Sequence, residues 1–202
     1  MTAISLKMMM NDPWYEVVDA NTKLTQGDII LSCPVVVWDS NPIPLGDNQE
    51  TETLKSAVKA IKADVLVMTQ ACDLENNKVK NVILCPHLSL EEYKKHWEET
   101  MQKNGQSTNS KAWGKFCDGI KNGYIWNLAM LNEGSIEELN LTHRVVDFQD
   151  VYTIPRTFLE SLLQRRGQPR LRLRPPYREH LSQAFARFFM RVGLPMGVTK
   201  VW

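Results

Sequence analysis

Arginine is nearly missing from the first three quarters of this chain, with one between Met1 and Asp150 against 13 lysines. Cysteine and histidine are scarce too, at four each in 202 residues, and no two cysteines have CxxC spacing. That excludes a disulfide-stapled scaffold and the usual zinc knuckle. No run approaches the ~18 to 20 apolar residues of a membrane span. No glycine-rich phosphate loop follows a strand. The start, MTAISLKMMMNDPWYEVVD, matches neither a secretory signal nor an Arg-rich transit sequence. A soluble, cytoplasmic protein is expected, with no membrane partner, cofactor or metal. At 43% hydrophobic and 23% charged, the composition suits one globular domain.

What is present is a segregation of charge beneath a net +1. Met1 to Asp150 carry 21 acids and a balance of −7, whereas Val151 to Trp202 carry nine arginines, one lysine and two acids, a balance of +8. The domain reading follows that break: a core over 1–154 with a helical insertion at about 89–122, then an Arg-rich helical segment over 155–202 packed on the core.

Along the chain, IILSCPVVVW reads as a strand whose Pro34 marks a bulge, bend or edge. Asp39 to Thr53 is loop chemistry. Leu54, Val58 and Ile61 predict a short helix over Glu52 to Lys62. DVLVMTQ and VKNVILCP are continuous apolar strands covered on both faces, joined by the polar loop ACDLENNK. Ser89 and Glu92 form a capping box opening a helix to about Lys103, and Ser110 opens a second ending near Gly123. YIWNLAML and RVVDFQDVYTI read as strands around an acidic turn region, Asn132 to Asn140. Pro155 starts a helix with Phe158, Leu159, Leu162 and Leu163 as its buried stripe and Gly167 as its stop. Arg170-Leu171-Arg172-Leu173-Arg174 alternates with period two, setting three arginines against two leucines. A last helix, Pro176 to Val192, carries an apolar stripe beside His180, Gln183, Arg187 and Arg191. The expected fold is α+β: a small, mostly antiparallel sheet or SH3-like barrel, with inserted helices and a C-terminal helical pair.

Two resemblances attach to these residues. Gly27-Asp28-Ile29-Ile30, VLVMTQ and VILCP, over about Gln26 to Pro86, resemble the SH3-like barrel of PemK-type growth-inhibiting toxins. The chain has Lys62-Ala63-Asp64 and His87 where that pattern has a basic run and a late Thr or Ser, so no ribonuclease residue carries over. VMTQACDLENNKVKNVILCP with RLRPPYREHLSQAFARFFMRVGLP resembles a bacterial family sharing a TQxCDL hairpin and this arginine-rich ending. The second resemblance implies an accessory component in a mobile-element or phage-defence setting.

Three constellations could carry function. Thr69, Gln70, Cys72 and Asp73 lie where an apolar strand runs into a loop, a common place to present recognition groups. The same residue types also fix tight loops through backbone hydrogen bonds. In an enzyme, Cys72 would be the nucleophile, with Asp73 and His87 completing the set as a hydrolase, transferase or diverged PemK-like ribonuclease. Cys33, Cys72, Cys85 and His87 could converge on zinc, although no close cysteine pair supports it. Arg170, Arg172, Arg174, Arg178, His180, Arg187 and Arg191 could bind nucleic acid or a partner protein, since guanidinium groups suit phosphate. They could equally dock on the acidic body or another subunit. The leading expectation is an interaction module acting through the Arg-rich end.

Overall fold

The computed structural model describes residues 14–39, 55, 57–136 and 139–190. Ten strands and five helices are assigned among them: β1 (Tyr15–Val18), β2 (Ile29–Trp38), β3 (Val58–Val67), α1 (Ala71–Glu75), β4 (Asn81–Ser89), α2 (Leu90–Lys103), α3 (Ser110–Lys121), β5 (Leu128–Leu131), β6 (Gly134–Ile136), β7 (Leu139–Leu141), β8 (Arg144–Asp147), β9 (Tyr152–Pro155), α4 (Arg156–Arg166), β10 (Arg170–Leu173) and α5 (Tyr177–Phe189). All strand pairs are antiparallel. The main sheet has the order β2-β3-β4-β8-β5, with β9 also on β4. The fold is α+β with open sheets: β2 and β5 end the path without meeting, so the sheet branch of the expectation stands and the closed SH3-like barrel does not.

Continuous apolarity in β3 and β4 has the expected consequence. Val65 and Val67 face a core with Val35, Leu84, Leu159 and Leu163, while Leu66, between them, faces a second core with Tyr15, Phe148, Leu173 and Leu181. Helices cover both faces of the sheet: α4 one, α5 the other. A smaller cluster of Ile120, Leu128 and Val145 anchors α2 and α3. The capping box of α2 is complete: the Glu92 amide donates to Ser89 Oγ at 3.1 Å and the Ser89 amide to Glu92 Oε2 at 2.9 Å.

Several local expectations change. Residues 124–127 are a turn, leaving strand only over Leu128–Leu131, and the expected turn region 132–140 holds the short paired strands β6 and β7. Val58–Lys62 is strand and not helix, because β-branched Val58 and Ile61 pair with Trp38 and Val35 of β2, and cross-strand pairing overrides helical spacing. The part of that helix at 52–54 and 56 lies outside the described residues, as do Arg191 and the end of the last helix. Phe158 is 50% exposed and does not join Leu159 and Leu163 in the buried stripe. Residues 144–154 form two strands, β8 against the end of β4 and β9 against its start.

The sequence Gln26-Gly27-Asp28 is built for the C-terminal segment. Gly27 has φ +88°, and a Cβ there would lie 3.1 Å from Leu173 Cβ and 3.3 Å from the Leu173 carbonyl. That closeness lets the Leu173 amide donate to the Gly27 carbonyl at 2.9 Å. Gln26 Nε2 donates to the Met68 carbonyl at 3.1 Å and to Ser182 Oγ of α5 at 3.2 Å. Asp28 is fully buried and accepts from both Arg170 and Arg172. Removing one partner of a buried ion pair leaves an uncompensated charge, which costs about 3 to 5 kcal/mol. Asp28→Ala is therefore expected to lose about that much in urea unfolding, and wild-type stability would mean that the pair does not hold the segment. Gly27→Ala is expected to destabilise as well, through both its positive φ and the tight approach of β10.

Candidate functional site

The arginine-rich segment is mostly turned inward. Leu171 and Leu173 are buried as the alternation in β10 requires, yet Arg170 on the opposite face is buried too, at 5% exposure. Its Nε donates to Asp28 Oδ2 at 3.0 Å, and its two terminal nitrogens reach the carbonyls of Asp19 at 3.0 Å and Thr22 at 2.8 Å. Arg172 shares Asp28 and donates to the Lys23 carbonyl at 2.8 Å. Arg156 donates to the Leu74 carbonyl at 3.0 Å and to Asn77 Oδ1. Arg166 holds the carbonyls of Leu31 at 2.7 Å and Ser32 at 2.6 Å, where β2 bulges and Ser32 takes φ +49°. Arg178 pairs with its neighbour Glu179, and the Arg174 amide donates to the Trp14 carbonyl at 2.8 Å. A guanidinium's fork of donors suits such irregular turns, where carbonyls lack ladder partners. His180, Gln183 and Arg187 lie on the exposed face of α5.

The TQxCDL segment becomes one helical turn, α1, that closes the path from β3 to β4. Thr69 is buried and its Oγ1 accepts from the Ile83 amide at 2.7 Å. The Gln70 carbonyl accepts from the Asp73 and Leu74 amides. Leu74 plugs the core at 2% exposure. The Asp73 carbonyl accepts from the Lys78 amide at 2.9 Å, and Asn77, at φ +54°, completes the turn. Cys72 is exposed, its sulfur 3.8 Å from Gln70 Oε1 and 3.8 Å from Asp73 Oδ1.

His87 does not join Cys72. Val67 of β3 pairs with Leu84, Leu66 with Cys85 and Val65 with Pro86, so His87 continues past Asp64, away from the α1 turn. In an antiparallel hairpin the residues beside the loop are those that begin the second strand, and His87 is near its end. From Asp64 the strand runs on to Val67 and three further residues lead to Gln70, a span of up to roughly 20 Å. The zinc set is dispersed likewise: Cys33 and Cys85 are buried in different cores and Cys72 is at the surface.

His87 belongs instead to a polar row that composition alone had not marked. Arg144, the sole arginine before residue 151, reaches from β8 across β4; its Nε donates to His87 Nδ1 at 2.9 Å and its Nη2 to Asp64 Oδ2. Asp64 Oδ1 accepts from the Ser32 amide at 2.8 Å. Four strands are stapled by this row. With Nδ1 occupied as an acceptor, the proton of neutral His87 sits on Nε2, which is buried beside the Val65 carbonyl without a hydrogen bond of normal geometry. Such an imidazole has no free lone pair with which to take a proton from a thiol.

An open recess of about 430 Å³ lies between Asp19, Ala20, Asn21, Thr22, Gly167 and Pro169. Two of the carbonyls that Arg170 holds, those of Asp19 and Thr22, come from this lining. Among the described residues no group of three His, Cys, Asp or Glu side chains is placed to hold a metal ion, and no helix is long and apolar enough to cross a membrane.

Two measurements check this arrangement. Burial first, and Arg144 second, push the His87 pKa down to about 4, whereas an unfolded chain titrates its histidine near ~6.5. Between those values the unfolded state takes up a proton that the folded state refuses, so stability contributed by neutral His87 is full above about pH 6.5 and falls as pH drops toward about 4. Urea unfolding across that window should contain a slope of up to about 1.4 kcal/mol per pH unit that His87→Gln removes; an unchanged slope would contradict the assignment. Burial also pushes the Cys33 thiol up to about 11 and the Cys85 thiol up to about 12. Iodoacetamide should therefore modify Cys72 in the native protein while Cys33 and Cys85 react only after denaturation, and native labelling of Cys85 would contradict the packing.

No protein-family model, curated protein or solved structure matches the chain.

Proposed function

We propose that this chain is an interaction module that binds nucleic acid through the outward face of α5 and the adjoining loop after α3. The observation that carries the reading is what remains exposed once Arg156, Arg166, Arg170 and Arg172 are engaged within the protein. His180, Gln183 and Arg187 stay exposed along α5. Arg187 Nη1 lies 3.7 Å from where a Cβ on Gly123 would sit. Beyond Gly123 the chain presents Tyr124 at 77% exposure and Trp126 at 46%, with Lys121 exposed before it. A ring held in solvent beside cations, as that of Tyr124 is, makes a platform on which a base stacks while phosphates meet guanidinium and ammonium groups. The setting is the accessory role in a mobile-element or phage-defence system that the resemblance to the TQxCDL family implies, and its proposed compartment is the cytoplasm.

Single-stranded RNA and DNA of mixed sequence, titrated over a salt series, test this reading. Tyr124→Ala should weaken binding about tenfold, as loss of one stacked base does. Arg187→Ala should lower the salt slope by about one. Arg172→Ala should act on thermal stability instead, and Cys72→Ala should leave binding unchanged. Affinity indifferent to both Tyr124→Ala and Arg187→Ala, or capture of a protein and not of nucleic acid through this face, would overturn the proposal.

A further inference from the structure

A second surface, remote in sequence from α5, is the outer edge of β2. In an antiparallel pair, residues alternate between those whose backbone groups bond the partner and those whose groups face away. The Asp39 amide donates to the Ala57 carbonyl at 2.6 Å, which fixes the phase: with Trp38 opposite Val58 and Val36 opposite Ala60, the backbone groups of Val37 and Val35 face β3. Those of Trp38, Val36 and Pro34 face away. Pro34 thus occupies a position where β3 asks for no amide hydrogen. Earlier on this edge, the Gly27 carbonyl is taken by β10, and those of Leu31 and Ser32 by Arg166. From Pro34 to Trp38 no described strand pairs with it.

The side chains at the same positions are exposed: Val36 at 65% and Trp38 at 68%, with exposed Ala60 and Lys62 opposite Val36 and Pro34. Lys59, also exposed, adds a second cation to the hairpin. An edge with outward amides, apolar alternate side chains and a lysine beside them matches the requirements for strand addition. A second copy of the edge would bring the lysines of both hairpins together and set each Pro34 against a Trp38, forfeiting an amide donor. The geometry points to an occupant of another kind: an extended, acidic segment of a partner protein, added antiparallel to Pro34–Trp38 with carboxylates toward Lys62. This goes beyond the nucleic-acid reading and does not depend on it.

The probe is a short, end-blocked peptide alternating valine and glutamate, with a valine and lysine counterpart, added to the full chain. Amide exchange at Val36 and Trp38 should be fast in the free protein and slow about tenfold or more with the glutamate peptide alone, less so as salt rises. Val36→Pro removes an amide that faces away from β3, so the β2–β3 ladder should persist while binding is lost. If that variant unfolds, Lys62→Glu keeps the backbone and should reverse the preference toward the lysine peptide. The inference is overturned if the two peptides bind alike, if neither amide responds, if a folded Val36→Pro protein still binds, or if both amides are already slow in the free protein, as when the chain's own residues or a second copy cover the edge. Arg187→Ala should leave peptide binding intact.

Discussion

Asp28 is a fully buried carboxylate whose stabilising guanidinium groups come from 142 and 144 residues further along the chain. A charge in that position is tolerable only when paired and hydrogen-bonded. Everything around it serves that closure. Gly27 lets β10 approach, Gln26 holds α5 by Ser182, and the carbonyls of Asp19, Thr22 and Lys23 satisfy the remaining guanidinium donors. The start of β2 and the strand β10 are thus two halves of one structural device.

The charge segregation takes a different meaning from this. An acidic body of −7 facing a basic end of +8 suggests pairwise neutralisation, but among the described contacts Asp28 is the one body carboxylate that the C-terminal arginines reach. The other body groups they bind are carbonyls, at a bulge, a turn and a one-turn helix, together with the Asn77 side-chain amide oxygen. These arginines act as multi-donor fasteners, for which lysine, with a single ammonium, is a poor substitute. Most of the body's other described carboxylates lie at exposed positions, so the arginines that dock the segment do so chiefly through backbone carbonyls.

Much of the fold was legible where the signal is local. The Ser89–Glu92 box, the apolar stripe of the last helix and the run IILSCPVVVW each express one element's own periodicity. The short strand β1 escaped because four residues carry too little pattern, and it exists through pairing with β10. The segment around Val58 misled because its apolar spacing suits a helix, while the choice was made by β2. In the candidate sites, the alternation of arginine and leucine foretold which face of β10 was apolar, yet not that the arginine face meets a buried aspartate. The row Asp64, His87 and Arg144 draws from three strands. Its only signals were isolated polar residues at the margins of apolar runs and an arginine alone in the first 150 residues.

The central claim is that the arginine-rich segment is part of the folded body and not an arm held in reserve. Native-state amide exchange on the full chain tests it most directly. The amides of Glu16, Val18, Arg170 and Arg172, which face one another across β1 and β10, and that of Leu173, which bonds Gly27, should open with the same free energy as those of Val65–Val67, that of global unfolding. Opening of β1 and β10 at a free energy several kcal/mol lower, while β3 stays protected, would contradict it.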